Sequence, residues 1–306
     1  MLEELPGRTC PLRYRYGAAA LARAPEETAD ILYVVGGLYG NVAALDALEA
    51  MAAEDAARTG LKVTLCFNGD FNWFNADPDS FRAINQRVLR HRAIQGNVEA
   101  ELSSPADDAG CGCAYPEQVD AGVVERSNRI HARLKTTASA FPELLAQIDA
   151  LPMLARFRVG ACAVGVVHGD ADSLAGWRFS VEELACSSNA DWLEQVFATA
   201  KVDLFASSHT CEPVLKCLPG TPERAVINNG AAGMPNFPGV RAGLISRVAV
   251  VPAVHPVVHG TQVQGVHVDA LNLPYDHNGF ERSFLANWPA GSDAHVSYFK
   301  RIRAWE

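Results

Sequence analysis

Cys162-Ala163-Val164-Gly165-Val166-Val167-His168-Gly169-Asp170 is the stretch on which the reading of this chain turns. Its apolar run has the length and composition of a buried β-strand, and His168 follows directly at the end. Gly169 allows the backbone to turn sharply after the histidine. Open α/β sheets bind their ligands just past the carboxyl ends of their strands. Alone, such a histidine reads equally well as a satisfied loop residue, so its meaning depends on what the rest of the chain brings beside it.

Working outward, residues 31–35 (Ile-Leu-Tyr-Val-Val) form another buried-type strand, closed by Gly36-Gly37-Leu38-Tyr39-Gly40-Asn41. Asn41 then caps a helix whose Leu45, Leu48 and Met51 share one face and which frays near Thr59-Gly60. Residues 61–67 are the next strand, ending at Asn68-Gly69-Asp70. Asp77-Pro78 opens a second helix, an N-cap followed by proline at the first helical position, with Phe81, Ile84 and Val88 at helical spacing. Residues 93–95 are a short extended piece ending at Gly96-Asn97-Val98-Glu99. Alternating strands and helices imply right-handed crossovers and a parallel sheet.

Residues 100–151 interrupt that rhythm and read as a helical insertion. A loop over 103–116, containing Cys111-Gly112-Cys113, precedes helices over 117–135 and 141–151. The sheet is expected to resume over 159–167. Ser180-Val181-Glu182-Glu183 has the spacing of a capping box, and Asn189 is expected to cap a helix carrying Trp192, Val196 and Phe197. Residues 202–206 form another strand and deliver Ser207-Ser208-His209-Thr210-Cys211. Strand-like runs over 213–218, 225–228, 243–251 and 261–271 are spaced for an antiparallel second sheet packed on the first. Residues 1–29 are read as an N-terminal extension, with 10–16 an added strand or arm and 25–28 a short helical turn. Residues 272–306 are read as a C-terminal tail. Without repeats or a linker, one domain over 1–306 is expected.

Hydrophobic residues make up 49% of the chain and charged residues 20%, a globular balance. The formal net charge of −9 argues against general nucleic-acid or anionic-membrane binding, which rests on clustered Lys and Arg. It leaves room for a small phosphorylated molecule in a local positive pocket. The acidic start lacks a secretory pattern, and no stretch approaches the ~18 uninterrupted apolar residues of a membrane span. A cytoplasmic protein with no membrane association is therefore expected. Cys66 and Cys162 sit inside apolar runs, where cysteine behaves as a small hydrophobe.

Asp70, Asn97, His168 and His209 each terminate a strand-like run, so the fold can bring them together although the sequence scatters them. A carboxylate oxygen, an amide oxygen and two imidazole nitrogens make a mixed set suited to one divalent transition metal such as Mn, Fe or Zn.

The order of these motifs resembles the calcineurin-like metallophosphoesterase superfamily, in particular its small bacterial phosphodiesterase-like branch. That pattern runs D-x-H, G-D, G-N-H with Asp or Glu next, a strand-end His, then G-H-x-H. Here GGLYGN (36–41) stands at the first position, NGD (68–70) at the second, GNVE (96–99) at the third, VVHGD (166–170) at the fourth and SHTCEP (208–213) at the fifth. INNGAAG (227–233) resembles the late glycine-rich turn, and the Asp77-Pro78 pair the branch's helix opening.

The resemblance spans about residues 31–250 and implies an α/β, four-layer αββα sandwich of two mixed β-sheets flanked by helices, with metal at the strand ends. It implies phosphodiester or nucleotide hydrolysis by metal-bound hydroxide, with Asp70 bridging and orienting and with Asn97, His168 and His209 completing one metal position. The other position departs from the pattern: Gly37, Tyr39 and Cys211 stand where Asp and two His are expected, and Val98 replaces the His that follows Asn. Tyr39 and Cys211 could rebuild that position as phenolate and thiolate, but are read as filling its volume, so one ion is expected. Asn41, retained from the first motif, is a candidate substrate contact. The alternative function is a catalytically silent protein of this fold, serving binding or regulation.

Cys111 and Cys113 are read as loop cysteines without chemistry, since no second pair stands at zinc-site spacing. His255, His259 and His267 are read as solvated strand histidines. Trp73 and Phe74 are read as cover for the sheet edge, with base stacking as the sharper alternative.

Overall fold

A computed structural model describes residues 6–104, 109–220 and 223–306. Its strands, in chain order, are β1 (Glu26–Thr28), β2 (Ile31–Val35), β3 (Val63–Asn68), β4 (Arg92–Ile94), β5 (Leu154–Val159), β6 (Cys162–Val167), β7 (Leu204–Ser207), β8 (Pro213–Leu218), β9 (Arg224–Asn229), β10 (Ala242–Ala249), β11 (Val257–Val263) and β12 (Val266–Pro274). They form two mixed six-stranded sheets, ordered β1-β5-β6-β7-β9-β8 and β11-β12-β10-β2-β3-β4. The expected four-layer sandwich is the observed architecture.

Side-chain alternation explains the layering. In β2, Leu32 and Val34 face the other sheet, meeting Phe157, Val164, Val166, Leu204 and Ile227 in a core between the sheets. Ile31, Tyr33 and Val35 point the opposite way, onto Leu45 and Leu48 of the helix Val42–Thr59. Across the molecule, Val167, Phe205 and Val226 meet Leu193, Val196 and Phe197 of the helix Ala190–Ala200. Full burial of each such side chain contributes about 1.5–3 kcal/mol. Strands buried on both faces read as unbroken apolar runs, which is why VVHGD was so legible.

The local signals hold where capping decides. Asn41 accepts from Ala44 N, Asp77 from Ser80 N and Ser180 from Glu183 N. Asn189 differs: its amide donates backward to Arg178 O and Glu183 O and caps nothing. The N-terminal segment differs too. Glu26–Thr28 is an edge strand parallel to β5 rather than a helical turn, and Leu12–Tyr14 is one 3-10 turn followed by a bridge from Arg15 to Ser173.

Three larger corrections concern pairing. Residues 159–167 are not one strand: Gly160 at φ 54° turns the chain, and β5 and β6 form an antiparallel hairpin. Residues 261–271 likewise contain the β11–β12 turn at Gln264-Gly265. The late strands do not make a sheet of their own, because β8 and β9 join β7 whereas β10–β12 extend from β2. The tail is also structured, with helices His277–Asn287 and Asp293–Ile302 packed over the site end of the sandwich. In the insertion, helices occupy Ala121–Ala138 and Pro142–Asp149, while residues 105–108 of the expected loop lie outside the described residues, as do 1–5 of the extension. No helix among the described residues is long and apolar enough to cross a membrane.

Candidate metal centre

The four strand-end residues come from both sheets. Asp70 and Asn97 follow β3 and β4 of one sheet, and His168 and His209 follow β6 and β7 of the other. They meet at the open end between the layers. Glycines make the approach possible: a Cβ on Gly69 would lie 2.6 Å from His168 Nδ1, and one on Gly96 would lie 2.3 Å from Asp70 Oδ1.

Asp70 itself sits at φ 54°, a left-handed conformation costing roughly 1–2 kcal/mol for a residue with a side chain. Glu99, fully buried, holds that turn by accepting from Asp70 N (2.7 Å), Gly96 N (3.1 Å) and Asn72 N (3.1 Å). Burial, then the neighbouring Asp70 charge, pushes its carboxyl up to about 7.

Hydrogen bonds on the far side of His168, His209 and Asn97 fix what faces inward. His168 Nδ1 donates to Asn68 O (2.8 Å), so Nε2 turns its lone pair to the centre. His209 Nε2 donates to Cys113 O (3.1 Å), which leaves Nδ1 inward. Asn97 Nδ2 donates to Cys111 O (2.9 Å), which leaves Oδ1 inward. From His168 Nε2 the distances are 3.0 Å to Asn97 Oδ1, 3.1 Å to His209 Nδ1 and 3.4 Å to Asp70 Oδ1.

Four acceptors therefore converge with their donors used elsewhere. Ligand atoms about 2.1 Å from a shared ion stand roughly 3.0–3.4 Å from one another, which is the spacing found. Asp70, His168 and His209, all buried, form a group able to hold a metal ion.

Protonation answers the same crowding. Burial opposes charge on His168, but the Asp70 carboxylate outweighs it and raises the imidazole above its ordinary value. Burial, then His168, pushes His209 down to about 3. Asp70 is lowered because the two histidines outweigh its desolvation. One proton on His168 faces only some of the converging acceptors, whereas a divalent cation satisfies all four.

Tyr39 and Cys211 meet beside this cluster, with Oη and Sγ 2.8 Å apart. Burial raises both groups above their ordinary values, and for Tyr39 the Cys211 and Asp70 charges add to it. They stand as a neutral hydrogen-bonded pair. A Cβ on Gly37 would lie 2.9 Å from the Tyr39 ring, so the ring occupies the space a side chain at 37 would need. Asn41 does not face the site as a substrate contact. Its Oδ1 caps the helix, its Nδ2 donates to Gly233 O (2.8 Å), and it is buried away from the cavity wall.

The Cys111-Gly112-Cys113 loop contributes through its backbone rather than its thiols. Both are buried, and their backbone carbonyls orient Asn97 and His209. Cys113 O also accepts from Trp177 Nε1 (3.0 Å), whose ring lies edge-on to His209 at 5.2 Å. Sequence carried a cue for Glu99, inside GNVE, but none for Trp177, Tyr115 or Tyr298, which line the cavity over the centre. Trp73 also lines that cavity, while Phe74 packs between Tyr39, Phe284 and Tyr298. His255 lies in a loop, and His259 and His267 lie on β11 and β12, all half-buried and apart from the centre.

Gly112 tests this loop. It sits at φ 67°, and a Cβ there would lie 2.3 Å from Tyr14 Oη and 2.9 Å from Glu101 Cγ. Gly112→Ala must move the loop, and with it the carbonyls behind two inward-facing residues. Metal affinity, titrated with Zn or Mn, is expected to fall about 10–100-fold with the fold retained. An unchanged affinity would show that the loop does not orient the centre.

No protein-family model and no curated protein sequence matches the chain. Among solved structures, it is similar to a metallophosphoesterase from Sphaerobacter thermophilus, at 16% identity and TM-score 0.53 over 91% of this chain and 100% of the other. It is also similar to a hypothetical protein from Pyrococcus horikoshii, at 15% identity and TM-score 0.59 over 87% of this chain and 97% of the other.

Proposed function

The chain has the metallophosphoesterase fold, and on that premise we propose that it hydrolyses a phosphoester at one divalent-metal centre held by Asp70, Asn97, His168 and His209. The observation that carries this reading is the convergence of four acceptor atoms, with His168, His209 and Asn97 each committing its other polar atom outward. A bound transition metal supplies Lewis acidity toward a phosphoryl oxygen and makes water a stronger nucleophile near neutral pH. The ligand set favours Mn, Fe or Zn over Mg.

The chain's own residues do the rest. Asp70 orients the attacking water as a hydrogen-bond acceptor, and Glu99 keeps Asp70 in its strained turn. Val98 offers no proton to a leaving group, and Tyr39 with Cys211 fills the place where the resemblance puts a second ion. Loss of one such electrostatic clamp lowers rates by about 10²–10³. Slow turnover on a small phosphorylated molecule is the expected behaviour. The neutral Tyr39–Cys211 pair also favours a second reading, a binding or regulatory protein that keeps its metal and has no turnover.

Metal analysis of the purified protein, paired with hydrolysis of an aryl phosphodiester under Mn, Zn and Fe, tests both. One ion per chain with chelator-sensitive turnover supports the hydrolase. One ion without turnover of any ester supports the second reading. A protein that takes up no metal sinks both.

A further inference from the structure

The centre opens into a cavity of about 140 Å³ whose wall is unusual for a site that receives phosphate. Among the described residues lining it, none is Lys or Arg. The wall is instead aromatic: Trp73, Tyr115, Trp177 and Tyr298 line it together with Val98. Trp177, Tyr115 and Tyr298 are half-buried, so each keeps ring surface free. Arg301 stands behind the wall and does not line the cavity: its guanidinium donates to Pro235 O (2.8 Å), Cys211 O (2.9 Å) and Asn236 Oδ1 (3.0 Å), which fixes it there.

Charge and size together restrict what fits. Among the groups that line the cavity, a divalent ion with the Asp70 carboxylate leaves one net positive charge. A monoanionic ester brings that count to neutrality. A dianionic monoester or a polyphosphate always leaves one more uncompensated negative charge among aromatic rings, and burying unpaired charge is costly. A cavity near 150 Å³ with apolar walls takes one six-membered ring, and flat π-faces bind flat groups by stacking.

Resting on the phosphoester reading above, we infer that the site selects a monoanionic phosphodiester or phosphonate monoester carrying a flat aromatic group, with Trp177 as a specificity-determining wall, and discriminates against dianionic monoesters and polyphosphates. Trp177 is suited to the role because its indole N–H is locked onto Cys113 O and its ring abuts His209, so the stacking face is set before a ligand arrives.

Calorimetric titration of the Mn-loaded protein with two non-hydrolysed probes tests this without turnover. The probes are methyl phenylphosphonate, a monoanion, and phenylphosphonate, held as a dianion at alkaline pH. The monoanion is expected to bind at least about tenfold more tightly. Trp177→Ala should weaken the monoanion about tenfold at unchanged metal content. Trp177→Phe, which keeps a ring but loses the N–H, should retain most of the affinity. Tyr298→Leu, on the C-terminal helix, probes the same wall should Trp177→Ala disturb the metal.

Equal or tighter binding of the dianion, no binding of either probe, or wild-type affinity in both ring-deleting variants overturns the inference. An inactive protein with the expected binding order sinks the hydrolase reading and leaves this one standing. Equal turnover of aryl monoesters and diesters does the reverse.

Discussion

His168→Ala is expected to emerge from purification without its metal and to lose turnover of an aryl phosphodiester by on the order of 10²-fold or more. His168 Nε2 is the hub of the centre, within 3.0–3.4 Å of Asn97 Oδ1, His209 Nδ1 and Asp70 Oδ1. Removing it leaves two oxygens and one nitrogen facing a void that opens to water. Against the burial that opposes charge on Asp70, the His168 ring helps hold that carboxyl below its ordinary value, so the variant loses the group that otherwise balances Asp70. Misfolding is a competing cause of metal loss, because the residue is buried and ties β6 to β3 through Asn68 O. His168→Gln separates the two: it keeps much of the volume and a polar terminus but lacks a good transition-metal donor. Loss of metal in both variants, with melting curves near wild type, is the expected result. Wild-type metal content and turnover in both would remove His168 from the centre.

How much of this was legible depends on what kind of atom does the work. Asp70, Asn97, His168 and His209 were legible because each is a polar residue within about one turn of the end of an apolar run, and strand ends gather at one edge. The glycines inside NGD and GNVE are where the chains approach most closely, as the contacts at Gly69 and Gly96 show. The carbonyls of Cys111 and Cys113 were not legible, since every residue carries a carbonyl and no side-chain type announces its use. Cysteine drew attention there for its sulfur, whereas the backbone is what orients Asn97 and His209. The aromatic wall was hidden for another reason: Tyr115, Trp177 and Tyr298 come from three distant segments, and nothing local says that they converge.

The pairing errors have a similar origin. A two-strand hairpin and one long strand share the same apolar composition, and only the left-handed Gly160 distinguished them. Which sheet a late strand joins depends on non-local contacts, so spacing alone suggested one antiparallel sheet where the chain deals its strands to two. In the tail, Phe280, Phe284 and Trp288 do recur at helical spacing, but the polar residues between them diluted the pattern. Their burial, with Trp288 Nε1 donating to Phe74 O (2.9 Å), makes the tail part of the scaffold behind the cavity.

A second large effect is expected far from the metal centre, in a buried ion pair that joins helix to sheet. Asp55, on the helix Val42–Thr59, and Arg247, on β10, have no solvent exposure. Arg247 Nε donates to Asp55 Oδ2 at 2.8 Å, Tyr33 Oη donates to the same oxygen at 2.7 Å, and Arg247 Nη1 donates to Val251 O at 2.9 Å. Asp269 stands 3.8 Å from the guanidinium. Asp55→Ala removes the carboxylate that the guanidinium hydrogen-bonds, leaving only the more distant Asp269, and strands the Tyr33 hydroxyl, at a cost of about 3–5 kcal/mol. That corresponds to a fall in melting temperature of roughly 5–8 °C. The double variant Asp55→Leu with Arg247→Met removes both charges and refills the volume, so it should recover most of the loss. Metal affinity should stay within about twofold in the double variant, because neither residue contacts the centre. A double variant no more stable than Asp55→Ala would show that packing, rather than the unpaired charge, sets the cost. A single variant that melts with wild type would mean that the pair contributes nothing to holding helix on sheet.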